Sequence, residues 1–131
     1  MPDMFQKVIM VGLGGALGAL LRYSFLVLFP YIPGAFPYTV FMENMIGSFL
    51  LGFILIVFRN KWKPAWPARA FFGTGLLSSF TTFSNLTMNL VTLTGEGHII
   101  TAVAYMMASV LAGLACAFWG MMLARKWGGS L

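Results

Sequence analysis

Long apolar runs alternate with short polar punctuation along this chain. The first runs from about Met4 to Leu28 and is broken only by Lys7 near its start and Arg22 near its end. Pro30, Pro33, Gly34 and Pro37 then form a connection, because proline lacks the N–H that a helix needs. The second run extends from about residue 38 to 58 and stops at Arg59, where Arg59, Lys61, Lys63, Pro64, Pro67 and Arg69 make a basic connector. The third, about 68 to 93, carries no charge beyond Arg69 at its start. Thr94, Gly95, Glu96, Gly97 and His98 turn the chain, and the fourth run, about 99 to 123, ends before Arg125 and Lys126. Each run is near or above the roughly 20 residues that span a bilayer as a helix. None shows the alternating ten-residue pattern of barrel strands. The pattern predicts an all-α membrane protein, residues 1–131 forming one domain of four transmembrane helices.

Composition strengthens this reading. Of the 131 residues, 60% are hydrophobic and 8% charged, too few charges to give so small a soluble domain its polar surface. A secretory signal is the competing reading of the first run, but no A-x-A cleavage pattern follows it. The net charge of +5 would suggest nucleic acid in a soluble protein; here the basic residues flank apolar runs, so membrane lipid is expected around the chain and nucleic acid is not. With four helices, Lys7, Arg59, Lys61, Lys63, Arg69, Arg125 and Lys126 fall on one side and Arg22 alone on the other, which predicts an inner-membrane, multi-pass protein with both termini cytoplasmic. A disulfide and a zinc site with four protein ligands are both excluded by a single cysteine, Cys116, and a single histidine. No nucleophile elbow, phosphate-binding loop or H-E-x-x-H motif occurs, so the chain does not read as an enzyme.

The third run holds the chemistry. Gly73, Gly75, Ser78, Ser79, Thr81 and Thr82 crowd its middle, where glycine weakens a helix by about 1 kcal/mol and hydroxyls compete for its backbone. Two structures suit this composition: an unbroken helix with hydroxyls bonded back to the preceding turn, or a break whose freed carbonyls suit a hard cation and whose freed N–H groups suit an anion. Asn44 suits a hydrogen bond to a neighbouring helix. Phe83 is packing, or a ring whose positive edge faces an anion. Arg22 snorkels to the interface or is paired. Gly14 and Gly18, Ala108 and Ala112, and Ser109 and Gly113 are spaced for close helix contact, within the chain or between subunits.

Three ordered segments carry a resemblance. Gly14-Gly15-Ala16-Leu17-Gly18-Ala19-Leu20-Leu21-Arg22-Tyr23, then Asn44-Met45-Ile46-Gly47-Ser48-Phe49-Leu50-Leu51-Gly52, then Gly73-Thr74-Gly75 leading into Thr81-Thr82-Phe83-Ser84, resemble the Fluc (CrcB) fluoride channels over nearly the whole chain. The resemblance implies an antiparallel dimer, a third helix broken at mid-membrane, and passive release of fluoride from the cytoplasm. It implies a structural sodium ion (Na+) at the dimer centre, held by the backbone carbonyls of Ser78 and Thr81. It assigns Asn44, Thr82, Phe83, Tyr105 and Ser109 to the fluoride path and Arg22 to a vestibule. Fluoride holds water tightly, so a path must replace that water with N–H, O–H and ring edges, and this chain has almost no carboxylate to repel it.

The chain also departs from the family. Leu86 stands where a second pore phenylalanine is expected, and Asn89 where an acidic residue is common. Ser78-Ser79 replaces a glycine pair, Gly113 and Ala117 stand where hydroxyls are frequent, and Glu43 beside Asn44 is unusual. With a seven-to-one charge bias, these departures suit one half of a heterodimer with an oppositely oriented paralogue as well as a homodimer. The alternatives are a non-conducting structural partner of such a channel and a small multidrug exporter. The exporter class needs a carboxylate in its first helix, and none occurs from Met4 to Leu28.

Overall fold

The computed structural model describes residues 3–60 and 66–127; the Lys61, Lys63 and Pro64 part of the basic connector lies outside them. Every regular element among the described residues is helical. Helix α1 (Met4–Leu28) starts at Asp3, whose carboxylate accepts the Gln6 N–H at 2.8 Å. Helix α2 (Tyr38–Asn60) follows a loop in which Gly34 takes a positive φ of 77°. The third apolar run is divided into α3 (Trp66–Ala68), a π-helical stretch (Arg69–Leu77), α4 (Ser78–Phe80) and α5 (Phe83–Gly95), with Thr81 and Thr82 extended between the last two. Helix α6 (Ile99–Trp127) completes the chain. Of these, α1, α2 and α6 are each long and apolar enough to cross a membrane. Of the two structures that the composition of the third run suits, the chain takes the break: no single helix covers 68 to 93, because the backbone opens at Thr81 and Thr82.

Two close contacts organise the chain. Helix α2 lies along α6, and α1 lies along the π-helical stretch and α4. Glycine makes both approaches close. A Cβ at Gly52 would sit 2.2 Å from the Ala117 carbonyl oxygen, and one at Gly120 would sit 2.1 Å from that of Phe49. Gly14 and Gly18 meet the Phe71 and Leu76 carbonyls just as closely, at 2.1 and 2.2 Å. The small-residue spacing at Gly14 and Gly18 therefore serves contact within the chain. Without side chains in the way, backbones approach and gain dispersion energy, which drives helix association where lipid is as apolar as leucine.

The interior is small. Leu93, Ala102 and Tyr105 form its buried cluster, with Phe36, Phe41, Leu86 and Leu90 packed around it. Most large apolar side chains face outward, among them Leu17, Leu20, Val27, Ile100, Leu114 and Trp119. In water such a surface would drive aggregation; in a bilayer it is the solvated face.

Candidate functional site

The break in the third run is held open by an amide from another helix. At Thr81 the backbone leaves the helical region (φ −77°, ψ 152°), and Thr82 stays extended (φ −150°, ψ 118°). The Thr82 N–H donates to Asn44 Oδ1 at 2.8 Å, and Asn44 Nδ2 donates back to the Thr82 carbonyl at 3.2 Å. Asn44 thus replaces both backbone partners that Thr82 gives up by leaving the helix, as every buried backbone polar group requires. Thr82 also caps α5, its hydroxyl accepting the Asn85 N–H at 3.1 Å and sharing a hydrogen bond with the Ser84 hydroxyl at 3.0 Å.

These bonds redirect two donors. In a continuous helix the Thr82 N–H would serve the Ser78 carbonyl and the Asn85 N–H that of Thr81. Here they serve Asn44 and the Thr82 side chain instead. Ser78 and Thr81 therefore lose their usual helical donors on either side of the break. Carbonyl oxygens are the ligand type a hard cation takes, so the pair fits a sodium ion in kind. Two oxygens are too few to enclose one. No cluster of His, Cys, Asp or Glu suited to a metal occurs among the described residues.

A pocket of about 300 Å³ opens beside the break. Asn44, Ser48, Thr81, Thr82, Phe83 and Ser109 line it. The Ser109 hydroxyl is buried without a hydrogen-bond partner, so it is available to whatever enters. Four of the six side chains that the resemblance assigns to an ion path, Asn44, Thr82, Phe83 and Ser109, are brought together here. The other two are elsewhere. Tyr105 is fully buried in the interior cluster, where its hydroxyl accepts from Asn89 Nδ2 at 3.4 Å, and Arg22 lies on α1 outside the pocket wall. Ser78 lines a different groove, of about 750 Å³, together with Arg59, Arg69 and Thr74. The Phe83 ring is 77% exposed, so within one chain it packs on little.

Sequence reasoning named Gly47 and Ser48 in the segment after Asn44 but gave them no place in the site. Ser48 lies one turn from Asn44 and lines the same pocket. A Cβ on Gly47 would sit 2.0 Å from the Thr81 Cγ2, so a larger residue there would force the Thr81 side chain to turn away. The Asn44, Gly47, Ser48 spacing was the available signal.

Apolar helices long enough to cross a membrane, with an amide-clamped helix break and a pocket carrying several hydroxyls beside it, define a small integral membrane protein. Residues 9–121 match the family described as CrcB-like protein, Camphor Resistance (CrcB), and the chain belongs to that family. A relative from Chlorobium phaeobacteroides (strain BS1), named fluoride-specific ion channel FluC, is 32% identical over 127 residues, covering 97% of this chain and 99% of the relative. Relatives of the same name from Chlorobaculum tepidum and Roseiflexus sp. (strain RS-1) are 35% and 39% identical, covering 93% and 92% of this chain and 97% and 98% of their own lengths.

Proposed function

We propose that the chain is a subunit of a fluoride-selective channel that lets fluoride leave the cytoplasm passively, in the cell inner membrane and with both termini cytoplasmic. The observation that carries this reading is the clamp of Asn44 on Thr82 beside the unpartnered Ser109 hydroxyl. A small anion entering the pocket meets a hydroxyl, the remaining Asn44 amide proton and the edge of the Phe83 ring, and no carboxylate in the wall. Those donors replace the water that fluoride sheds, while the absence of carboxylates removes repulsion. Relatives of full length that carry the fluoride-channel name support the same assignment.

The pocket is open on one side and Phe83 stands away from its own chain, which favours completion by a second copy running antiparallel. In that arrangement the break lies at mid-membrane, and Ser78 and Thr81 of two chains present carbonyls enough for a structural sodium ion. Sodium bound there would tie two breaks together and take no part in moving fluoride. A second reading, pairing with an oppositely oriented paralogue in a heterodimer, is favoured by Leu86, which lines the pocket where the family has a ring. Streptomyces avermitilis holds relatives named fluoride-specific ion channel FluC 2 and FluC 3, so more than one copy in a genome has precedent.

The test is fluoride efflux from liposomes holding this chain alone, read with a fluoride electrode. Efflux that excludes chloride supports a homodimeric channel. Efflux only on adding a paralogue supports the heterodimer. No fluoride efflux in either case refutes the channel reading.

A further inference from the structure

Glu43 takes no part in the pocket, yet it is more deeply enclosed than any other buried polar residue described. It is fully buried, and neither carboxyl oxygen has a hydrogen-bond partner. Asp3 caps the start of α1 and Glu96 lies in the α5–α6 turn, so Glu43 is the one acid inside an apolar span. An isolated carboxylate in that setting is costly, and ionised side chains within membranes pair with one another.

Position selects the partner. Lys7, Arg59, Arg69, Arg125 and Lys126 all lie at the opposite ends of their helices. Among the described lysines and arginines, Arg22 alone shares the Glu43 end, with His98 in the α5–α6 turn beside Gly34. Glu43 is five residues into α2 and Arg22 six residues before the end of α1; at the helical rise both lie about 8–9 Å inside the ends that the 29–37 loop joins. Helices α1 and α2 are themselves in contact, although the two side chains do not meet in the structure. The Tyr105 hydroxyl on α6 is engaged with Asn89. Arg22 is half-buried and donates no hydrogen bond among the described residues, so its five donors are uncommitted.

We propose that Arg22 and Glu43 are each other's counter-charge, an ion pair between α1 and α2 that sets the charge at the end of the bundle where the 29–37 loop joins them. The guanidinium stem is long enough to close on a carboxylate at its own depth, and lipid removes the water that would otherwise solvate both. On the channel reading, on which this consequence rests, the pair weakens the attraction of Arg22 for an entering anion. That end of the protein then concentrates fluoride less than a free arginine would.

The experiment compares wild type, Arg22→Gln, Glu43→Gln and the double variant. Melting temperature in detergent is expected to fall for Arg22→Gln in the wild-type background and to fall much less, or not at all, when Glu43→Gln is already present. Equal losses in both backgrounds overturn the pair. Should Arg22→Gln fail to fold, folding of the double variant supports the pair and failure of the double variant overturns it. In liposomes, Glu43→Gln is expected to lower the half-saturating fluoride concentration several-fold with little change in maximal rate, a split that a packing defect would not produce. An unchanged half-saturating concentration overturns the electrostatic role. Non-additive melting with no fluoride efflux from any variant supports the pair and refutes the channel reading.

Discussion

Replacing Asn44 by leucine tests whether the break is held from outside. The substitution keeps the side-chain volume and removes both hydrogen bonds to Thr82, the 2.8 Å bond from its N–H and the 3.2 Å bond to its carbonyl. Hydrogen bonds of this kind contribute about 1 kcal/mol each in proteins, and interhelical ones in membranes average about 0.6 kcal/mol. Leucine also leaves the Thr82 N–H and C=O facing an apolar side chain, and an unsatisfied buried group costs about 1–3 kcal/mol. The sum is a loss of about 2–4 kcal/mol, unless the backbone closes the break and returns the Thr82 N–H to the Ser78 carbonyl. Either outcome removes the site. Unfolding in SDS–detergent mixtures, followed by circular dichroism, should show the loss of stability or, if the break closes, a gain in helix content. Fluoride efflux should be abolished in both cases. A folded Asn44→Leu protein with wild-type stability, unchanged helix content and normal efflux would refute the reasoning, because the amide would then be doing nothing for the backbone it touches.

Other outcomes follow from other contacts. Gly75→Ala places a Cβ 2.6 Å from the Val11 carbonyl oxygen and 3.0 Å from the Gly14 Cα, so it should destabilise the α1 contact by about 1–3 kcal/mol, seen as a lower melting temperature. Phe83→Ile should leave the fold of the single chain nearly as stable, since the ring is 77% exposed, while fluoride efflux falls sharply; a matching loss of stability with normal efflux would make the ring a packing element. Leu86→Phe should raise efflux of the chain reconstituted alone and lower its melting temperature slightly, because Leu86 both lines the pocket and packs against the Leu93–Ala102–Tyr105 cluster. Exchanging sodium for N-methylglucamine should shift purified protein from dimer to monomer on light scattering; a dimer indifferent to sodium would remove the Ser78 and Thr81 carbonyls from any such role.

What was legible in the sequence depended on how local its cause was. The apolar runs and their order follow from hydrophobicity alone, and α1 begins and ends where the pattern places it. Helices α2 and α6 run past Phe58 and Leu123 to Asn60 and Trp127, because Arg59, Arg125 and Lys126 favour the last turn of a helix instead of ending it. The weakness of the 73–84 segment was visible in its glycines and hydroxyls; composition alone left open whether it breaks, and only the resemblance implied a break. The amide that fixes the opening at Thr82 comes from Asn44, 38 residues earlier, and such a pairing leaves no trace in local propensity. The π-helical stretch was likewise hidden: its carbonyls at Phe71 and Leu76 settle against Gly14 and Gly18, a fit between two helices. Tyr105 belonged by spacing to the same face as Ser109, yet it turns into the buried cluster with Leu93, because an aromatic ring gains more from that enclosure than from the pocket edge.

Of the departures from the family, Leu86 lies in the pocket wall and Gly113 close to it. Leu86 gives the pocket an aliphatic surface, and Gly113 on α6 offers no hydroxyl where it approaches Met45 Cε and Ser48 Oγ, at 3.6 and 3.9 Å from an added Cβ. The break, its Asn44 clamp and the cap on α5 are meanwhile intact. A chain that had lost the need for the site would be expected to lose the clamp as readily as the wall, since both are built from residues of no use to the lipid-facing surface. Retention of the backbone opening with an impoverished path wall is what a subunit needs if it contributes carbonyls and a helix break to a shared centre while its partner supplies the better lined path. The one-sided distribution of basic residues suits the same division, because a chain with a fixed orientation requires a partner of the opposite one to make an antiparallel pair.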